Sequence, residues 1–305
     1  MILDEGAEIL QTEEMFIEDE FVEESVLHTE ASSSMASLHD VVVLPNEGLS
    51  STACRPTRDR SAQPTLFLDK IEPLTKTNRL SSGYINRAME ILKTQYPDIG
   101  GLFFCTLCGT LDYPQATGRQ WMQIVHDASQ HWVLVANGFF QENHVLVYDS
   151  MAGSNWRSKH ILSCMSLLLK TPEKEMTYIV KACHRQGNGF NCGVFAIAFA
   201  TSLANGQDPS TLLYSPDLLR THLNECIAKG YLSPFPSTIC RVKRARKDSV
   251  LSESVFCQCR RTSYMLPAKG WTMVECEICK EWFHSMCADN FPENENETWL
   301  FKSCK

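Results

Sequence analysis

The segment Gln186-Gly187-Asn188-Gly189-Phe190-Asn191-Cys192-Gly193 runs from a glycine-rich turn straight into an apolar stretch, and it constrains the fold more than any other. From Cys192 to about Leu203 the residues suit a helix buried on all sides, with Val194, Phe195, Ile197 and Ala198 among them. A helix like that needs a sheet to lie on. Candidate strands rich in β-branched and aromatic residues run Trp121 to Val125, His131 to Ala136, Val145 to Tyr148 and Met176 to Lys181, separated by Gly, Asn and Asp clusters. Ser81 or Ser82 can cap a helix that carries Ile85, Met89, Ile91 and Leu92 and ends before Pro97. Leu218 to Ala228 reads as a further amphipathic helix, and Pro234 and Pro236 close this domain.

Chemistry-bearing residues fall at the ends of these elements. His131 opens one strand, Asp149 closes another, Gln186 starts the glycine-rich turn and Cys192 starts the helix. Only a thiolate is a good sulfur nucleophile, and a helix N-terminus and a nearby imidazolium both favour it. His131 can supply the imidazolium and Asp149 can fix its tautomer. The Gln186 amide and the Cys192 backbone N–H can donate to an oxyanion. Taken singly, a buried Cys or a strand His is more often structural; the four together suit a cysteine hydrolase.

Charge is unevenly spread over the 305 residues. Thirteen acidic residues precede the first basic one, Arg55, leaving 23 acidic against 28 basic in the remainder. Residues 1–60, acidic and then rich in Ser, Thr and Ala, read as a disordered tail. The start has neither the basic nor the apolar region of a secretory signal, and no apolar run is long enough for a membrane helix, so no membrane partner is expected. Six of the fourteen cysteines lie between 257 and 304 at metal-ligand spacing, which suits a reducing compartment. Cys105-x2-Cys108 has no partner pair nearby in sequence and reads as loop or core; His144, His160 and His184 read as surface or structural.

The run His131-Trp132, then Asp149, then Gln186-x5-Cys192-Gly193 resembles the ubiquitin-like-protein-specific proteases, the adenovirus-protease type of cysteine peptidase. The resemblance covers about Leu66 to Pro236. It implies an α+β fold with a mixed sheet packed by helices, and cleavage after the C-terminal Gly-Gly of a ubiquitin-like modifier or its conjugates. By this resemblance Cys192 is the nucleophile, His131 the general base, Asp149 its orienter and Gln186 the oxyanion donor. Trp132 would cover the tunnel for the Gly-Gly tail. Arg79-Leu80-Ser81-Ser82 stands where the family often has Trp-Leu-x-Asp, which places Arg79 at the other tunnel wall. Asn191 stands where Asp commonly precedes the nucleophile.

Past a basic linker, 241–254, with a Lys-Arg-x-Arg-Lys run that reads as a nuclear import signal, lies a Cys/His module over 255–305. Clustered thiolates and imidazole suit tetrahedral zinc, which replaces a core in so small a unit. The pattern resembles a cross-braced PHD finger. That resemblance implies one zinc on Cys257, Cys259, His284 and Cys287 and a second on Cys276, Cys279 and Cys304. Phe301 occupies the position where a fourth Cys is expected. It also implies a histone H3 tail as partner, with Tyr264, Met273 and Trp282 as a methyl-lysine cage. The expected domains are thus a tail (1–60), a peptidase domain (61–240), a linker and a finger. Together they describe a nuclear, chromatin-recruited cysteine peptidase, with no sequence-specific nucleic-acid binding. The rivals are an inactive chromatin-binding protein with a protease-like binding domain, and acetyl transfer by the same triad.

Overall fold

The computed structural model describes residues 74–141, 144–241, 246–264, 272–288 and 298–304. The acidic tail therefore lies outside the described residues, as does most of the basic run. All described residues belong to one compact unit, 65–305.

A six-stranded mixed sheet forms the centre, in the order β1-β2-β3-β4-β5-β8. Its strands are β1 (Ile99–Gly101), β2 (Gln120–Asp127), β3 (His131–Asn137), β4 (Val145–Tyr148), β5 (Glu175–Val180) and β8 (Ser249–Ser254). The pairs β1·β2 and β4·β5 are parallel; β2·β3, β3·β4 and β5·β8 are antiparallel. Both faces are covered, so the central strands read as almost unbroken apolar runs. On β3, Trp132, Leu134 and Ala136 join the core under helices α1 (Ser82–Gln95), α4 (Cys192–Ala204) and α5 (Pro216–Lys229). Val133 and Val135 join the opposite core, under α3 (Lys159–Leu168).

Helix α4 is buried at every position from Cys192 to Leu203, as its all-round apolar sequence requires. Ser81 is the N-cap of α1, but its side chain makes no capping bond. Helix α5 opens with Pro216 at its first turn and ends on Gly230, whose φ of 65° suits glycine. Helix α3, the one-turn α2 (Leu107–Thr110) and the small pair β6 (Leu212–Tyr214) with β7 (Ser237–Ile239) are additions to the elements expected from sequence.

The expected linker 241–254 is corrected. Ser249–Ser254 is the sheet's outer strand, in register from Glu175↔Ser254 to Val180↔Ser249. Alternation explains why it pairs: Leu251, Glu253 and Val255 turn to the covered α3 side, where Glu253 takes the Arg157 guanidinium at 3.0 Å, while Val250, Ser252 and Ser254 are exposed. Just before it, Arg246 donates to the carbonyls of Ala152 and Lys181, and Asp248 accepts from Lys181 Nζ at 2.6 Å. The central sheet thus extends past residue 240.

The Cys/His module contains a two-stranded sheet, β9 (Met273–Glu275) with β10 (Trp282–His284). Its core is Phe283, Trp299 and Phe301, with Phe283 and Phe301 stacked at 4.3 Å. The module is tied to the α3 side of the central sheet. Thr262 Oγ1 lies 3.0 Å from Ser163 Oγ, Val255 N–H donates to Lys174 O, and Lys174 meets Glu281 at 2.5 Å.

Candidate active site and metal-ligand clusters

Adjacent strands bring the imidazole and the carboxylate together. His131 stands at the start of β3, and Asp149 follows the last residue of β4, the antiparallel neighbour. His131 Nε2 donates to Asp149 Oδ1 at 2.6 Å. Asp149 is otherwise fully engaged: Met151 N–H donates to Oδ1 at 2.7 Å, and Trp156 Nε1–H donates to Oδ2 at 2.7 Å. Three donors on a buried carboxylate fix its position and favour its charged form. Burial works against that charge, yet the His131 bond and its charge hold the Asp149 pKa below the ordinary value.

His131 Nδ1 is buried without an aligned hydrogen-bond partner, and a second ionisable neighbour of the ring is the Cys192 thiol. Burial alone would lower the His131 pKa; the hydrogen bonds with Asp149 and then Cys192 outweigh it and raise it to about 10. For Cys192 burial pushes the pKa up, and the His131 bond, the Trp132 and Gly193 backbone and the imidazolium charge bring it below the ordinary thiol value. Each group stabilises the charged form of the other. The arrangement favours a thiolate–imidazolium pair at the start of a 13-residue helix, whose first-turn N–H groups have no partner within the helix.

Packing holds the thiol at this point. A Cβ on Gly193 would stand 2.9 Å from Leu80 Cβ and 3.1 Å from Trp132 Cδ1, so only glycine lets the helix approach so closely. Trp132 is buried, donates its Nε1–H to Leu80 O at 3.2 Å and meets the His126 ring edge-on at 4.5 Å. Gln186 lies on the turn leaving β5. Its Oε1 accepts from Ser150 Oγ at 2.6 Å, its N–H donates to Ser150 O, and its amide nitrogen donates to Asn188 O. Ser150, next to Asp149, thereby links the carboxylate to the turn that precedes the thiol. Arg79 donates to Gly189 O at 3.1 Å and to the Gln130 side chain, joining that turn to the β2–β3 hairpin.

Ser150, Trp156 and Arg220 were not singled out from the sequence. Trp156, seven residues after Asp149, offers one faint signal: an indole N–H in a polar connection needs an acceptor.

Residues 122–229 match the profile of the Ulp1 protease family, C-terminal catalytic domain. Over this stretch the chain resembles a Ulp1-type peptidase domain. The matched stretch contains His131, Asp149, Gln186 and Cys192. Among solved structures, the chain is similar to the SUMO protease Ulp1 with its catalytic cysteine oxidised to a sulfenic acid, at 13% identity and a TM-score of 0.42, covering 52% of this chain and 81% of that one. It is also similar to the Xanthomonas campestris effector protein XopD bound to ubiquitin, at 15% identity and a TM-score of 0.39, covering 56% and 100%. Protein ECM5 of Saccharomyces cerevisiae is 29% identical over 98 residues, 28% of this chain and 7% of that protein's length.

The cysteines of the C-terminal module form two groups. The donor atoms of Cys257, Cys259, His284 and Cys287 all lie within 4.8 Å of one another, as do those of Cys276, Cys279 and Cys304. His284 is fully buried; its Nε2 donates to Thr262 O at 2.9 Å, and Nδ1 faces Cys257 (3.1 Å) and Cys259 (3.4 Å). The Thr262 carbonyl thus orients the ring as a second-layer partner orients a metal-binding imidazole. Phe301 sits beside the second group, but its ring is spent on Phe283, and its N–H donates to Cys276 Sγ.

The three expected cage residues do not share one environment. Tyr264 packs against the α3-side core of the peptidase sheet, and Lys159 Nζ lies 5.6 Å from its ring centroid. The cation beside this ring is the chain's own Lys159. Met273 is half-buried opposite His284, and Trp282, 46% exposed, stands opposite Glu275. Cys105 is buried core as expected, but Cys108 is not merely core. Helix α3 brings His160 and Cys164 against it.

Proposed function

We propose that this chain is a cysteine peptidase that hydrolyses the bond after the C-terminal Gly-Gly of a ubiquitin-like modifier. The observation that carries the reading is the buried His131–Asp149 bond of 2.6 Å on a ring whose charge is shared with Cys192. The Cys192 thiolate attacks the glycine carbonyl carbon. The oxyanion takes hydrogen bonds from the Gln186 amide and the Cys192 N–H. The C–N bond breaks as His131 gives its proton to the departing amine, leaving a thioester. Neutral His131 then takes a proton from water, whose oxygen attacks the thioester, and the C–S bond breaks to restore the thiolate. The crowding of Leu80 and Trp132 around Gly193 supports a substrate tail without side chains, with Trp132 and Arg79 along its path.

The test uses ubiquitin-like proteins bearing C-terminal electrophiles. Cys192→Ala abolishes capture, and His131→Ala slows it by about 10²–10⁴-fold. Gln186→Ala lowers turnover by about 10²–10³-fold with affinity kept, because its bond strengthens in the transition state. Undiminished labelling of Cys192→Ala sinks the proposal.

The finger belongs to the same reading. Cys257, Cys259, His284 and Cys287 would hold one zinc, and Cys276, Cys279 and Cys304 a second; the convergence of each group's donor atoms within 4.8 Å supports these donor sets. The metal would supply the cross-links that so small a core lacks. The basic run at 241–247 supports a nuclear setting, and exposed Trp282 supports a contact with a histone H3 tail. Titrating H3 peptides into the wild type and Trp282→Ala tests that contact; equal affinities dismiss it.

A further inference from the structure

A third thiol–imidazole cluster lies within the peptidase fold, away from Cys192 and from the finger. His160 and Cys164 are four residues apart on α3, so they share one face. Cys108, on the one-turn α2, comes against that face. Cys108 Sγ is 3.0 Å from His160 Nε2 and 3.2 Å from Cys164 Sγ, and the three donor atoms fall within 4.8 Å of one another.

Three polar groups converge on Cys108 Sγ: the His126 carbonyl at 2.9 Å, His160 Nε2 and Cys164 Sγ. Two sulfurs and an imidazole nitrogen facing one point are a soft donor set. The sulfur–sulfur distance is also inside the roughly 3.5–4.0 Å at which non-bonded heavy atoms attract best. The same donor chemistry recurs at the same spacing in the finger, where Cys257 and Cys259 stand 3.1 and 3.4 Å from His284 Nδ1.

One side of the cluster is open. Cys108 and His160 line a cavity of about 590 Å³, while Cys164 is fully buried behind them. His126 and Trp132 also line it, and the lining contains neither Lys nor Arg to repel a cation.

We infer that Cys108, His160 and Cys164 form a metal site with an open fourth position facing this cavity. Two thiolates and an imidazole select a borderline or soft cation, zinc before magnesium or calcium. Three protein ligands with one free position leave room for water or a small donor entering from the cavity. A bound ion would also tie α2 to α3 across β2.

Full-length protein is loaded with zinc, passed through a desalting column and assayed for metal by mass spectrometry. Cys164→Ser and His160→Ala should each hold about one equivalent less than the wild type, with Cys192 labelling retained. His160→Ala keeps the test open if the buried Cys164→Ser fails to fold, since His160 stands at the cavity rim. Cobalt loading should give thiolate-to-metal absorption that falls by the share of one site in either variant. Wild-type metal content in both folded variants overturns the inference. So does a non-reduced mass 2 Da below the thiol form that reports a Cys108–Cys164 disulfide.

Discussion

Arg220 donates its Nε–H to the Asn191 amide oxygen at 2.8 Å, one residue ahead of the Cys192 thiol. Its other nitrogens donate to the carbonyls of Thr75, Asn78 and Phe190, and its guanidinium lies 5.0 Å from the Phe190 ring centroid. One side chain on α5 thus ties the segment before α1 to the turn that delivers the nucleophile. Asn191 is buried at this point, and its oxygen suffices as an acceptor where a carboxylate would bring a charge next to the thiolate.

Removing that hub should be costly. Arg220→Ala leaves Asn191 and three carbonyls without their donor, and the loss should be about 2–4 kcal/mol in urea unfolding. Labelling of Cys192 should slow even under conditions where the variant is fully folded, because the turn is no longer held. An unchanged unfolding midpoint would mean that water replaces the guanidinium at no cost.

The paired charges predict a broad pH window. The Cys192 pKa is below the ordinary thiol value and the His131 pKa is raised to about 10. Alkylation of Cys192 should therefore persist below pH 9, where an ordinary thiol loses reactivity, and should fall only when the thiolate itself protonates. Turnover should fall again as pH rises through about 10, since neutral His131 cannot protonate the departing amine, while alkylation continues. In His131→Ala only the Trp132 and Gly193 backbone still opposes the effect of burial on the thiol, so the alkylation profile should move to higher pH. The linkage to stability has the same sign. The raised His131 pKa stabilises the fold fully below the unfolded histidine value, and the benefit is lost as pH rises through about 10. Overlapping alkylation profiles for wild type and variant would break the pair.

How much of this was legible in the sequence depended on what each residue needed. Helix α4 and the central strands showed themselves because burial on all sides requires unbroken apolar runs. The candidate site showed itself because thiol, imidazole and carboxylate are chemically distinctive at element ends. Strand β8 stayed hidden: Ser249, Ser252, Glu253 and Ser254 resemble a linker until β5 offers Met176 to Ile179 as partners. Strands of three residues, such as β1, β6 and β7, carry too short a pattern to read. Trp156, Ser150 and Arg220 act through partners that only the tertiary fold supplies. Cys108 had no visible partner because His160 and Cys164 lie more than fifty residues on, on a helix not recognised.

The proposed zinc sites should differ in strength. The second group offers three thiols, and Phe301, stacked on Phe283, stands where a fourth ligand is expected. Graded chelator applied to the full-length protein should strip this ion before that of Cys257, Cys259, His284 and Cys287. The early-released fraction should be missing from Cys276→Ser. Phe301→Cys should delay its release while lowering the finger's thermal stability, because a ligand is gained and a stack is lost. Release of both finger ions at one chelator concentration would contradict the ranking.

Tyr264 gives the last prediction, since its position separates a docking residue from a reader. The ring packs into the α3-side core beneath Lys159, 5.6 Å from the centroid, and the neighbouring Thr262 hydroxyl meets Ser163. An exposed cation–π contact is worth only about 0.5–1 kcal/mol, so most of the value lies in the packing of the half-buried ring. Tyr264→Ala should lower the stability of the full chain by about 1–3 kcal/mol in denaturant unfolding. Tyr264→Phe keeps the ring and should recover most of it. Any preference between methylated and unmodified H3 peptides should be the same in Tyr264→Phe as in the wild type. A preference abolished by Tyr264→Phe without a change in stability would return the residue to a ligand-facing role and require the finger to leave the peptidase when it binds.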